Sequence, residues 1–153
     1  MDLWTYLASA NKTIVMYGMG NGADKIIGVC ESYGIVIADF FASDGFVRGQ
    51  IFHGKRVMSF SEIKDKYGKD NIIVLVAFAS SLPDVMQKIA DVASECETYI
   101  PDVPVRGYNV FCDEFENEHK DDIEKAYRLL SDERSKEVYR GVIEFRRSGK
   151  LDI

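Results

Sequence analysis

Three glycines within five residues, Gly18-Met19-Gly20-Asn21-Gly22, are the stretch best suited to hold an anion, because they can present bare backbone N–H groups to it. They follow the apolar run Ile14-Val15-Met16-Tyr17 and precede a helical pattern with Ile26 and Ile27 inward. Read as G-x-G-x-x-A, Gly18 allows the tight turn, Gly20 admits a phosphate to the backbone and Ala23 lets the helix pack closely, as in a dinucleotide site. Read as G-x-G-x-G, the same residues fit the turn that binds S-adenosylmethionine. That form carries an acid two residues before its first glycine, where this chain has Met16. The expected ligand is therefore a small anionic nucleotide, with Gly18, Gly20, Asn21 and Gly22 around its phosphate. The alternative is a strand-to-helix turn with no ligand.

Asp44 stands about twenty residues past the turn, where dinucleotide folds place an acid against the ribose hydroxyls. It equally opens the turn pair Asp44-Gly45, and Asp39 is a rival within the preceding strand. Arg48 offers a bidentate fork to a phosphate or carboxylate, and His53 a hydrogen bond to a sugar or a proton carrier. Ser80 ends a buried strand and Ser81 reads as a helix N-cap, so both would line the crevice. Asp113, Glu114, Glu116, Glu118 and His119 are acidic surface rather than a metal set, since their spacing does not converge on one face.

These residues must be positioned by a β-α alternation. A short helix over residues 1–12 docks Leu3, Tyr6 and Leu7, with Trp4 as packing. A strand at 14–17 leads to a helix from Ala23 to Tyr33, stopped by Gly34. The run 35–42 is a second strand, and 46–55 a glycine-bearing loop. Arg56-Val57-Met58 forms a short strand, and Ser59 and Glu62 are spaced as a capping box for a helix ending at Gly68. Residues 72–77 are the clearest buried strand. A helix from about 82 to 97 follows, with Cys96 in the core, and Val103–Val110 supplies a last strand. From Asp113 two helices are expected, one with Ile123, Ala126, Tyr127 and Leu130, the other with Val138, Val142 and Phe145.

At 153 residues, 46% apolar, the chain can bury one sizeable core. A net charge of −6 without a basic cluster argues against nucleic acid and anionic membranes. Cys30, Cys96 and Cys112 imply neither a disulfide framework nor a metal site and suit a reducing cytoplasm. The N-terminal segment reads as neither signal peptide nor membrane span.

With these residues in view, the order of YGMGNGADKI, FFASD, GKRVMSFSEI and IIVLVAF resembles the Rossmann-like N-terminal domain of chains carrying FkbM-type methyltransferases. It is more distantly similar to the N-terminal domain of sialic-acid-type sugar O-acetyltransferases and related nucleotide-sugar enzymes. The segment LLSDERSKEVYRGVIEFRRSGK looks like the helical connector before such a methyltransferase domain. No seven-stranded S-adenosylmethionine fold follows Val110, so the resemblance implies the accessory part without the catalytic part.

The expectation is an α/β, Rossmann-like three-layer domain at 1–112 with a mainly parallel sheet of about five strands. A helical appendage occupies 113–153. It would be a non-catalytic nucleotide or nucleotide-sugar binding module, with a methyltransferase domain in cis or trans as partner. One alternative is an NAD(P)-dependent oxidoreductase-like domain, although no Tyr-x-x-x-Lys pair is visible. Another is an interaction module that forms homo-oligomers with its site empty. S-adenosylmethionine as a cofactor of this chain alone is the least expected.

Overall fold

A computed structural model describes residues 1–107 and 109–150. The elements are α1 (Leu3–Ser9), β1 (Thr13–Tyr17), α2 (Asn21–Ser32), β2 (Ile37–Ala42), β3 (Ile51–Phe52), β4 (Lys55–Arg56), β5 (Met58–Ser59) and α3 (Phe60–Tyr67). They continue with β6 (Ile72–Val76), α4 (Pro83–Glu95), β7 (Glu97–Tyr99), α5 (Asp113–Glu118), α6 (Lys120–Leu129) and α7 (Glu133–Ser148).

Alternation along the strands builds the layers. In β1, Ile14 and Met16 face one side with Ile73 and Leu75 of β6, while Val15 and Tyr17 face the other with Ile72, Val74 and Val76. The first face is covered by α1 and α2, through Leu3, Trp4, Leu7, Ala23, Ile26 and Cys30. The second is covered by α3 and α4, through Ile63, Ile89 and Val92. A sheet buried on both faces needs continuous apolar strands, which is how β6 reads. The result is the α/β, Rossmann-like three-layer fold.

The strand order is β5-β2-β1-β6-β7, every neighbouring pair parallel. From β1 the chain steps outward to β2 and β5, then returns to place β6 on the other flank of β1. Progress therefore reverses between β1 and β6, and a crevice opens at their carboxyl ends. The β2-to-β5 crossover contains a 3-10 turn and the antiparallel hairpin β3–β4 instead of an α-helix. Phe52 of that hairpin packs edge-on against Phe40 of β2, with ring centroids 4.9 Å apart.

Several boundaries differ from the sequence reading. The fifth strand is β7, not Val103–Val110; among the described residues of that range no strand forms, and Tyr108 lies outside them. Pro104 removes a donor from the segment and Gly107 takes a φ of +80°, whereas Glu97–Tyr99 pairs in register with Ile73–Leu75. The stretch 56–58 is split between β4 and β5. Helix α2 begins at Asn21, two residues earlier than expected, with Gly20 as its N-cap. Leu82, not Ser81, caps α4, which ends at Glu95. The capping box of α3 forms as read: the Glu62 N–H donates to Ser59 Oγ, and the Ser59 N–H to Glu62 Oε2.

The two C-terminal helices of the sequence reading are α6 and α7, preceded by the short α5; residues 151–153 lie outside the described residues. The Ile100 N–H donates to the Gly149 carbonyl at 2.7 Å, and Arg146 Nε lies 2.7 Å from Asp102. At the other end of the chain, buried Asp2 accepts from the N–H groups of Thr5 and Asp113, joining the start of α1 to that of α5. No helix among the described residues is long and apolar enough to cross a membrane.

Candidate functional site

The site begins with how the glycine turn leaves β1. The Gly18 N–H donates to the Phe41 carbonyl at 2.9 Å and the Ala77 N–H to the Tyr17 carbonyl at 2.9 Å, so the ends of β2, β1 and β6 are held level. Gly18 has a φ of +116°, and a Cβ there would stand 2.8 Å from the Phe78 ring. Gly22 serves packing: its missing Cβ would meet the Ala77 carbonyl oxygen at 2.3 Å, so only glycine lets α2 approach β6 this closely. Gly22 thus takes the close-packing role that the sequence reading gave to Ala23, which is itself buried. Gly20, at φ +89°, is different: its Cα faces open space, and both Gly20 and Asn21 are exposed at the start of α2. The first-turn N–H groups of α2 have no partner within the helix, and they carry the positive end of its dipole.

Beside this turn lies a cavity of about 370 Å³, formed by the ends of β1, β2 and β6 and the first turns of α4. A ladder of rings supports it. Phe78 meets Tyr17 edge-on at 4.9 Å, Tyr17 stacks on Phe41 at 4.7 Å and 5°, and Phe41 stacks on Phe60 at 5.2 Å. Tyr17, Phe78 and the exposed Phe46 give the cavity aromatic walls, with Met19 and Val85 between them. Its polar residues are Tyr17 and Ser43, whose hydroxyls share a hydrogen bond of 2.5 Å, Ser80 and Lys88. Ser80 Oγ already accepts from the Leu82 N–H at 3.1 Å, which shapes the entry to α4.

Met19, Phe78 and Ala79 also line a second hollow, about 510 Å³, on the α2 side of the crevice. Ile100, Val103 and Phe145 of α7 close its far wall. The carboxyl edge is thus divided by Met19 and Phe78 into two compartments. The one toward α4 is ringed by aromatics, and the one toward α2 is bordered by the C-terminal helix.

The residues expected from sequence separate into groups. Gly18 and Ser80 line the aromatic cavity, whereas Gly20 and Asn21 are exposed at the start of α2, just past the lining residue Met19, and do not line it. Ser81 is exposed beyond it. Asp44 lies exposed in a 3-10 turn over Asp44–Phe46, with its carbonyl accepting from the Val47 N–H; its side chain does not line the cavity. Arg48 is exposed on the next loop, where its backbone N–H donates to Gln50 Oε1. His53 reaches back to α2 instead, with Nε2 2.7 Å from Asp24, and so straps the β3–β4 hairpin across the first turn of that helix. Asp39 is occupied within the fold: burial raises its pKa, but hydrogen bonds from Lys66 and Tyr67 outweigh this and hold the carboxyl below its usual range.

Tyr17, Ser43, Phe46, Phe78 and Lys88 were not singled out by the sequence reading. The topology explains four of them, since each lies at or just past the carboxyl end of a central strand, or one turn beyond. For Lys88 the available signal is its i, i+3 spacing from Val85, which puts both on one face of α4. Among the described residues no group of three or more His, Cys, Asp or Glu is placed to hold a metal ion.

The arrangement can receive a flat ring between aromatic walls, hydrogen-bond its edge through hydroxyls, and present N–H groups and an ammonium to an anion. Compared with known proteins, the chain matches no family model, no curated protein and no solved structure.

Proposed function

We propose that this chain is a nucleotide or nucleotide-sugar binding module, which holds its ligand at the switch point between β1 and β6. The observation that carries this reading is the adjacency of two complementary features. An aromatic-walled cavity of about 370 Å³ is lined by Gly18 and Met19, and the chain runs from them directly into the exposed Gly20–Asn21 start of a twelve-residue helix. The base enters the cavity among Tyr17, Phe46 and Phe78, and the phosphate lies over the first-turn N–H groups of α2. The groups lining the cavity bind and orient; a chemical step would be contributed by another domain, in keeping with the resemblance to an accessory domain of methyltransferase chains.

A thermal-shift series with NAD, NADP, S-adenosylmethionine, UDP-sugars and GDP-sugars tests this. A ligand present at a hundred times its dissociation constant stabilises by about 2.7 kcal/mol, an increase of several degrees in Tm. Stabilisation by one nucleotide class, lost in Phe46→Ala, supports the reading; no shift with any of them overturns it.

A second reading, self-association through the C-terminal helices, rests on Leu129, Val138 and Val142, which are 77%, 58% and 49% exposed. Sedimentation that shows a concentration-dependent mass, abolished in Val138→Glu, would favour it over a monomeric module.

A further inference from the structure

The two compartments of the crevice and the charges around them narrow the ligand class. Among the described residues that line the aromatic cavity, Lys88 is the only one with an ionised side chain, and no carboxylate shares the lining. This is notable in a chain with 25 acidic residues against 19 basic ones. The neighbouring ammonium groups of the α3–α4 layer are matched: Lys64 lies 2.8 Å from Glu95, and Lys66 lies 2.7 Å from Asp39. Lys88 is exposed on α4, one turn after Val85, and no carboxylate of the described residues lies within ion-pair distance of it. A long, flexible ammonium at the rim of a cavity with apolar walls is suited to an anion carried on an apolar body.

Size sets the second limit. Pockets for small ligands span roughly 300 to 1,000 Å³, and 370 Å³ lies near the bottom of that range. It accommodates one ring system. The other compartment lies across the wall of Met19 and Phe78, whose ring is fixed edge-on against Tyr17 and fills the space above Gly18. A second nucleoside would have to cross that wall.

We infer that the occupant is a nucleotide with a single nucleoside, a nucleoside mono- or diphosphate, and that Lys88 anchors its phosphate from the α4 side, opposite the N–H groups of α2. This rests on the nucleotide-binding reading above and specifies it. The base fills the aromatic cavity, and the phosphate lies toward Lys88, which lines the same space as Gly18 and Met19. Because Lys88 is exposed and has no ion-pair partner among the described residues, its replacement should leave the fold intact, which the Tm of each variant verifies.

The experiment is isothermal titration with AMP, GMP, CMP and UMP, the four corresponding nucleosides, and NAD. The proteins are wild type, Lys88→Gln, Lys88→Arg and Lys88→Glu. The expected result is a nucleotide that binds wild type at least about ten-fold more tightly than its own nucleoside. Lys88→Gln should bring the nucleotide down to the level of its nucleoside, Lys88→Arg should keep most of the preference, and Lys88→Glu should fall below Lys88→Gln. The salt dependence of nucleotide binding should weaken in Lys88→Gln. If a nucleotide binds wild type and Lys88→Gln with equal affinity, the anchor is disproved while the module reading stands. If NAD binds more tightly than any mononucleotide, the single-nucleoside assignment is disproved. If none of these binds wild type, the mononucleotide assignment fails and the anchor with it, and the module reading fails too only if the nucleotide-sugars of the thermal-shift series also give no shift.

Discussion

The central strands and the last two helices are held by different physics. Every residue of β6 is buried and four of the five in β1 are, whereas α6 and α7 contain no buried residue. The strands draw their stability from area removed from water, about 25 cal/mol per Å² of apolar surface. The helices rely on local devices. Asp132 caps α7, the pairs Glu124–Arg128, Glu133–Lys136 and Glu144–Arg147 line their surfaces, and Arg140 covers Tyr127 at 4.6 Å. Exposed pairs of this kind contribute little each. The candidate site opens at the ends of the first region, where buried Tyr17 and Ala42 fix its floor, while Phe46 and Lys88 reach it from exposed positions.

The largest effect is expected where the two layers are closest. Gly22→Val would drive a side chain into the Ala77 carbonyl, which packed backbone cannot yield. A loss of about 4 kcal/mol is expected, read as a fall in Tm of roughly 8–16 °C or as insoluble protein. Leu75→Ala, in the middle of β6, should cost about 3 kcal/mol in urea unfolding through the cavity it leaves.

An intermediate effect is expected at the junction of α1 and β7. Burial raises the pKa of Glu97, but hydrogen bonds from Lys12, Tyr6 and Tyr99 prevail and hold it below the ordinary glutamate value. Since the folded pKa is the depressed one, this contribution is present above the unfolded pKa and is lost as pH falls through the folded value. Glu97→Gln should therefore cost about 1 kcal/mol at pH 7, and its deficit relative to wild type should shrink below about pH 4. A deficit independent of pH would show that the carboxylate charge is not what joins these elements.

The smallest effect belongs to the C-terminal helices. Val138→Ser should change stability by no more than about 0.5 kcal/mol in a monomer. A cost several times larger would mean that this face is covered in solution, and the contrast between the two regions would be lost.

How far the sequence reveals these regions follows from the same contrast. β6 is legible because burial on both faces demands an unbroken apolar run, and α3 because Ser59 and Glu62 announce their own hydrogen bonds. β7 is not, since Glu97-Thr98-Tyr99 is short and polar; its position comes from pairing with β6, and its glutamate is satisfied by residues up to 91 positions away. At the site, the glycines were legible as a turn, but their separate tasks were not. That Gly22 faces Ala77 while Gly20 faces open space depends on how α2 sits against the sheet. Asp44 and Arg48 follow the correct strand, yet the 3-10 turn at Asp44–Phe46 directs Phe46 to the cavity instead. Lys88 was hidden because chemistry at a helix surface depends on which face meets the crevice.

The most direct test of the central claim is a ¹H–¹⁵N correlation spectrum of the intact chain, titrated with the nucleotide that gives the largest thermal shift. A ligand at the switch point should move the amides of Gly18–Asn21, Ser43 and Phe78–Ser80 most, leaving those of α6 and α7 in place. Shifts confined to α6 and α7, or none at saturating nucleotide, would contradict the account and leave the glycine turn as a device of packing alone.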